Sequence, residues 1–200
     1  MTTSNEKLIY DKLIEVYPDQ IVPITQLSLN DSGDKMFVES DATGFNFDCV
    51  LNCHPNCIKK EKSPDALFYV DDKLYFVEFK EGASKKEDIR LKIHEAVATI
   101  YNFSVEQNLG ISREQFFSLD IRYALIYREN HVHPNPTFAN TLEMNSKKYH
   151  LKNLEGYIVK KTRVAAHPES IFNILNNVSG GSVTSILIHK EGQPPLQVPA

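Results

Sequence analysis

Three charged side chains sit on two apolar runs joined by a pair of acids. Asp65 lies on segment 63–70, Glu78 and Lys80 lie on segment 74–80, and Asp71 and Asp72 stand between the runs. Aromatic and β-branched residues flanking turn formers predict a β-hairpin. With a loop of two or four residues, Val70 pairs with Lys73, Leu67 with Phe76, and Asp65 with Glu78. Opposed residues of a hairpin have Cβ atoms ~5 Å apart, and like charges there repel. Lys80 follows Glu78 by two and projects from the same face, roughly 7 Å along the strand. A divalent cation would relieve the repulsion, because hard ions such as Mg²⁺ take one or two carboxylates together with waters and phosphate oxygens.

The register depends on the turn. A loop of three or five residues would rotate Asp65 away from Glu78, and Asp-Asp is a weaker hairpin turn than Asn-Gly. A third acid has two candidates. Glu6 falls on the apolar face of a predicted opening helix, and Asp48 on a predicted strand ahead of the hairpin. Glu6 also fits a capping box with Thr3, in which it would only secure the helix start.

Pro64, Asp65, Glu78 and Lys80 together match the motif of the PD-(D/E)XK nuclease superfamily, which the chain resembles over residues 1–130. The resemblance implies a restriction-endonuclease-like core and a Mg-dependent or Mn-dependent endonuclease that hydrolyses DNA phosphodiester bonds with a metal-activated water. It implies that Asp65 and Glu78, with the main-chain carbonyl of Phe79, hold the metal, that Lys80 orients or activates the water, and that a Glu on the opening helix, best matched by Glu6, joins the site. A homodimer is an allowed assembly, since many members pair to cut both strands. The alternative is a catalytically inactive nuclease-like fold that binds nucleic acid or a protein partner.

The elements required to position these groups are legible. Residues 4–17 have helical apolar spacing, with Ile9, Leu13 and Val16 on one face before Pro18. Segments 21–29, 35–39 and 45–52 read as strands. Beyond the hairpin, Ser84 and Glu87 form a capping box, and Ile89, Ile93, Ala96, Val97, Ile100 and Phe103 continue an apolar stripe to about residue 107. Arg90 and His94 lie four apart on the flank of that helix, placed either to contact a phosphate or simply at the surface. Lys85 and Lys86 occupy its first turn, where the helix dipole disfavours cations, which makes them candidate phosphate contacts. Residues 119–128 alternate as a strand. The expected fold class is therefore α/β, a central mixed β-sheet flanked by helices, with a C-terminal α+β extension over 131–190 on the same domain. That extension has a strand at 156–164, a helix at 170–178 and a strand at 183–189, and it ends in a flexible tail over 191–200.

Charge is polarised along the chain. The net charge is −4, yet residues 144–200 carry 7 Lys and Arg against 3 acids, while residues 1–78 carry 7 against 14. Lys160, Lys161 and Arg163 stand in the basic part and would either neutralise DNA phosphates or form a solvated face. No apolar run approaches the ~18 residues of a membrane span, and the first residues lack a signal-peptide pattern, so a cytoplasmic protein off the membrane is expected. Cys49 and Cys53 on one strand would be ~13 Å apart, too far to share a Zn²⁺. Cys53, His54 and Cys57 lack a fourth ligand, so zinc at Cys53 and Cys57 is not expected. His131 and His133 receive no role.

Overall fold

The computed structural model describes residues 3–30, 35–50, 61–81, 85–128, 147, 149–190 and 192–199. Its centre is a six-stranded mixed sheet in the order β1 (Ile21–Pro23), β3 (Thr43–Asn46), β4 (Ala66–Val70), β5 (Lys73–Glu81), β6 (Ile121–Arg128), β7 (Lys161–Ala165). The first four form an antiparallel meander, whereas β6 and β7 add in parallel to β5. Parallel neighbours need a crossover, and helices α3 (Lys86–Glu106) and α4 (Arg113–Ser118) lie between β5 and β6. A second, three-stranded sheet has the order β2 (Val38–Glu39), β8 (Ser185–Lys190), β9 (Gln193–Pro199).

Alternation along the strands divides the interior in two. Leu67, Leu74, Phe76, Tyr123 and Leu125 point to the face covered by α1 (Asn5–Val16), α3 and α4, through Ile9, Leu13, Ile89, Ile93, Ala96, Ile100 and Phe116. Ala66, Phe68, Val77, Phe79, Ala124 and Ile126 point to the other face, beneath α2 (Ile24–Leu27), α5 (Pro168–Val178) and the small sheet. The α/β class and the helix-flanked mixed sheet are as expected. Among the described residues, no helix is long and apolar enough to cross a membrane.

The hairpin has the two-residue loop. Val70 pairs with Lys73, Leu67 with Phe76 and Ala66 with Val77. Asp71 and Asp72 both adopt positive φ, 49° and 55°, as a type I′ turn requires, and aspartate tolerates that region better than most residues. Asp72 is held there by the hydroxyls of Ser4, at 2.6 Å, and Tyr69, at 2.7 Å. Ser4 is also the N-cap of α1, accepting from the Lys7 N–H, so the turn and the opening helix fix one another.

Several expectations are corrected. The strand expected at 21–29 stops at Pro23, and α2 follows because the Ser28 hydroxyl donates to the Val38 carbonyl at 2.8 Å and accepts its N–H at 3.1 Å, binding the chain end-on to β2. The strand expected at 45–52 gives way to a 3-10 turn at Phe47–Cys49. The N-cap of α3 is Lys85, whose side chain makes no cap bond; Ser84, of the expected capping box, lies outside the described residues. Where a flexible tail was expected, Gln193–Pro199 forms β9 against β8. Pro194 and Pro195 are tolerated because β9 is an edge strand and the register shifts beside them, between Ile188 and Lys190.

Candidate functional site

The site grows from the open end of the hairpin. One step past the Ala66–Val77 pair, the register carries Asp65 across from Glu78, and both belong to the α1/α3 face. Instead of a ladder bond, the Asp65 side chain takes the Phe79 N–H on Oδ2 at 2.6 Å, and the Asp65 carbonyl accepts the Phe47 N–H at 3.1 Å. The side chain of Glu78 is 1% exposed and that of Asp65 24%. Phe79 turns its ring to the opposite core, edge-on to Phe37.

A cation from α3 meets these acids. The Lys92 ammonium donates to both oxygens of Glu78, at 2.7 and 2.8 Å, and stands 4.0 Å from Asp65 Oδ1. Asp48, on the 3-10 turn, accepts a hydrogen bond from the Ser63 hydroxyl and adds its charge to both carboxylates. Lys80 lies close enough to Glu78 to stabilise its ionised form. Lys92 thus joins Asp65 and Glu78, with Asp48 and Lys80 within electrostatic range.

Burial is the largest influence on the titration of Asp65, Glu78 and Lys92. It pushes the Asp65 carboxyl well above the ordinary range, and the charge of Glu78 pushes it further, while Lys92 and the Phe79 N–H act the other way. Burial also raises Glu78, against the pull of Lys92 and Lys80. Burial disfavours the Lys92 ammonium, but Glu78 and Asp65 outweigh it and its pKa goes up. The Tyr123 hydroxyl is buried on the same face, has no hydrogen-bond partner among the described residues, and is driven well above its normal value by burial and by the charges of Glu78 and Asp65.

Comparison of the chain with protein-family models, with curated proteins and with solved structures finds no match.

The donor chemistry fits a hard divalent ion, since a buried and a half-buried carboxylate are supplied and the nearby Tyr123 hydroxyl lacks a partner among the described residues. Among the described residues, no group of three or more His, Cys, Asp or Glu side chains is arranged to hold a metal ion. Lys92 occupies both oxygens of Glu78.

The other expected residues scatter. Glu6 is not brought to the cluster: its Oε1 accepts the Asp120 N–H at 2.8 Å, at the start of β6, whereas Glu78 pairs with Leu125 five residues further on. The capping box with Thr3 is not formed either, because Ser4 is the cap. Arg90 donates to the His150 carbonyl at 2.8 Å. His94, whose pKa is lowered by burial and by Arg90, follows it on the flank of α3 opposite Lys92. Lys85 is exposed and, with Lys62 and Lys80, faces Asp88 on the rim of the site, while Lys86 is exposed and pairs with Glu87 at 3.8 Å. Lys161 and Arg163 lie on β7, at the far edge of the sheet and on its opposite face, near Arg122 and Tyr75; Lys160 is exposed just before them. Cys49 is half-buried against the first core, and Cys53, His54, Cys57, His131 and His133 lie outside the described residues.

Lys92 is the residue that the flank argument missed. A signal existed, because Lys92 is three residues after Ile89 and four before Ala96. It is a lysine set into the stripe that must face the sheet.

Proposed function

We propose that the protein is a divalent-metal-dependent deoxyribonuclease of the PD-(D/E)XK type, with a restriction-endonuclease-like core, that hydrolyses DNA phosphodiester bonds. The observation that carries this reading is the hairpin register, which sets Asp65 across from the buried Glu78 with Lys80 next on the same face. The order of a helix, a meander ending in the motif hairpin, a crossover helix and a parallel strand agrees with it. Asp65 and Glu78 would hold Mg²⁺ or Mn²⁺, with the Phe79 carbonyl as a further donor. When bound, the ion supplies charge neutralisation at the phosphodiester and a water of lowered pKa. The chain's own groups do the rest. The Phe79 N–H fixes the rotamer of Asp65 by bonding Oδ2. Lys80 orients the attacking water, and a lysine near carboxylates in a partly dry site is suited to hold a nucleophile. Lys62, Lys80 and Lys85 form a basic rim around Asp88 that would meet the DNA backbone.

The test is nicking of supercoiled plasmid in Mg²⁺ or Mn²⁺ by the unsubstituted protein, Glu78→Ala and Lys80→Ala. The reading expects metal-dependent nicking that both substitutions abolish; no nicking on supercoiled, linear or branched DNA refutes it. A second reading, a nuclease-like module that binds nucleic acid or a protein without cutting, is favoured by the Lys92–Glu78 ion pair, which balances the most deeply buried charge from within the chain. DNA binding without cleavage or metal uptake selects it.

A further inference from the structure

Lys92 holds a position that the proposed chemistry does not assign to it. Its ammonium uses both oxygens of a Glu78 side chain that is 1% exposed, and reaches toward Asp65 Oδ1 at 4.0 Å. The hydroxyl of Tyr123, buried and without a hydrogen-bond partner among the described residues, stands in the field of the same two carboxylates. The pair is thus occupied by a cation already, and a polar group beside it is unsatisfied while that cation is in place.

A divalent ion on Glu78 would stand beside the Lys92 ammonium on the same two oxygens. Two cations sharing one carboxylate at contact distance repel strongly in a partly dry site, and an ion needs at least one of the oxygens that Lys92 now takes. The side chain of Lys92 has a route out, being 21% exposed. It also has acids to move to. Asp88 is four residues before it and Glu95 three after, both on its side of α3, and both already face Lys62, Asp88 through the Lys62 ammonium and Glu95 through the Lys62 backbone N–H. Spacings of three and four residues bring side chains together on a helix.

Building on the metal-dependent reading, we propose that Lys92 is a built-in counter-ion of the Asp65–Glu78 pair, which an entering divalent ion displaces toward Asp88 and Glu95 at the rim of the site. The lysine keeps the buried acids compensated without metal, and the cost of moving it lowers the affinity for metal. Once displaced, its charge joins the basic rim where the substrate phosphate arrives. Lys92 is then a positioning residue that exchanges partners during loading.

The experiment measures Mn²⁺ binding by titration calorimetry for the unsubstituted protein and for Lys92→Met, which keeps the length of the side chain and removes its charge; circular dichroism checks that the variant is folded. We expect Lys92→Met to bind Mn²⁺ at least tenfold more tightly. A second measurement needs no variant: acetylation of Lys92 in the unsubstituted protein, followed by mass spectrometry, should quicken severalfold in saturating Mg²⁺ while Lys7, paired with Asp11 on α1, is unchanged. Equal or weaker Mn²⁺ binding by Lys92→Met, or Lys92 equally protected with and without Mg²⁺, overturns the inference and leaves the nuclease reading standing. Absence of Mn²⁺ binding by both proteins overturns the two together.

Discussion

Two buried ion pairs lie near the same end of the central sheet, on opposite faces, and they are built differently. On one face Glu81 meets Arg128 at 2.6 Å, and the guanidinium also donates to the Met36 carbonyl at 2.7 Å and lies 4.7 Å from the centre of the Phe37 ring. Among the described residues one acid faces one base, and the planar guanidinium is spread over acid, carbonyl and ring. On the other face Glu78 meets Lys92, but Asp65 and Asp48 crowd in and Lys80 stands near, three acids against two bases among the described residues. Among the described residues the first pair sets one charge against one, although the buried Oε1 of Glu81 makes no hydrogen bond. Among the described residues the second has more acids than bases at a buried point where two carboxyls are pushed toward their protonated forms, the arrangement that the proposed cation site would have. A buried charge that balances is explained by the fold; one that does not calls for a ligand.

The largest expected effect falls on the unbalanced pair. Asp65→Asn or Glu78→Gln should lower metal-dependent DNA nicking by about 10³-fold or more, as loss of a metal ligand removes the chemistry that the ion supplies, while Glu78→Gln changes stability by less than about 1 kcal/mol, because Lys92 reaches solvent. The balanced pair should respond in the reverse sense. Arg128→Ala removes a buried guanidinium together with its contacts to Glu81, the Met36 carbonyl and the Phe37 ring and should cost about 3 kcal/mol in denaturant unfolding, with nicking by the folded fraction retained. If Glu78→Gln proves as destabilising as Arg128→Ala, the distinction between the two faces fails.

A smaller effect concerns pH. Asp65 and Glu78 are pushed up in the folded protein, so between the ordinary carboxylate range near pH ~4 and their raised values the folded state holds protons that the unfolded chain has released. Their contribution to stability is present at the acid end and is lost as pH rises through that window. Lys92 and Lys80 reduce the effect and Asp48 enlarges it. Denaturant unfolding of the metal-free protein from pH 4.5 to 8 should show this decline, and Asp65→Asn should flatten it; a decline unchanged in the variant would remove Asp65 as its source. The smallest effect is at Glu6. Glu6→Ala should cost about 1 kcal/mol through the lost bond to the Asp120 N–H and leave nicking unaltered, and loss of nicking would return Glu6 to the site.

The part of the site that lies on the hairpin was legible in the sequence because strand alternation is rigid. Once Asp71 and Asp72 form the loop, every side chain from Asp65 to Lys80 is assigned a face. The helical part was legible in period but not in role. The stripe of α3 was readable from Ile89 to Phe103, yet Lys92 within it was passed over for Arg90 and His94 on the opposite flank. Glu6 was placed on the correct face of α1, but position along β6 is a tertiary property, and it meets Asp120 rather than Glu78. Net charge locates basic residues in the chain and not on a face of the sheet, so Lys161 and Arg163 were separated from Lys80 only by the topology. The strand β9 escaped notice because its prolines argue against a central strand and are compatible only with the edge that it forms.

The most direct test of the central claim is a crystal structure of the protein grown with Mn²⁺, read by anomalous scattering. The account predicts one strong peak shared by the carboxylates of Asp65 and Glu78, with the Lys92 ammonium withdrawn from Glu78. A map with no manganese at this pair, and Lys92 still bonded to both Glu78 oxygens, would contradict it.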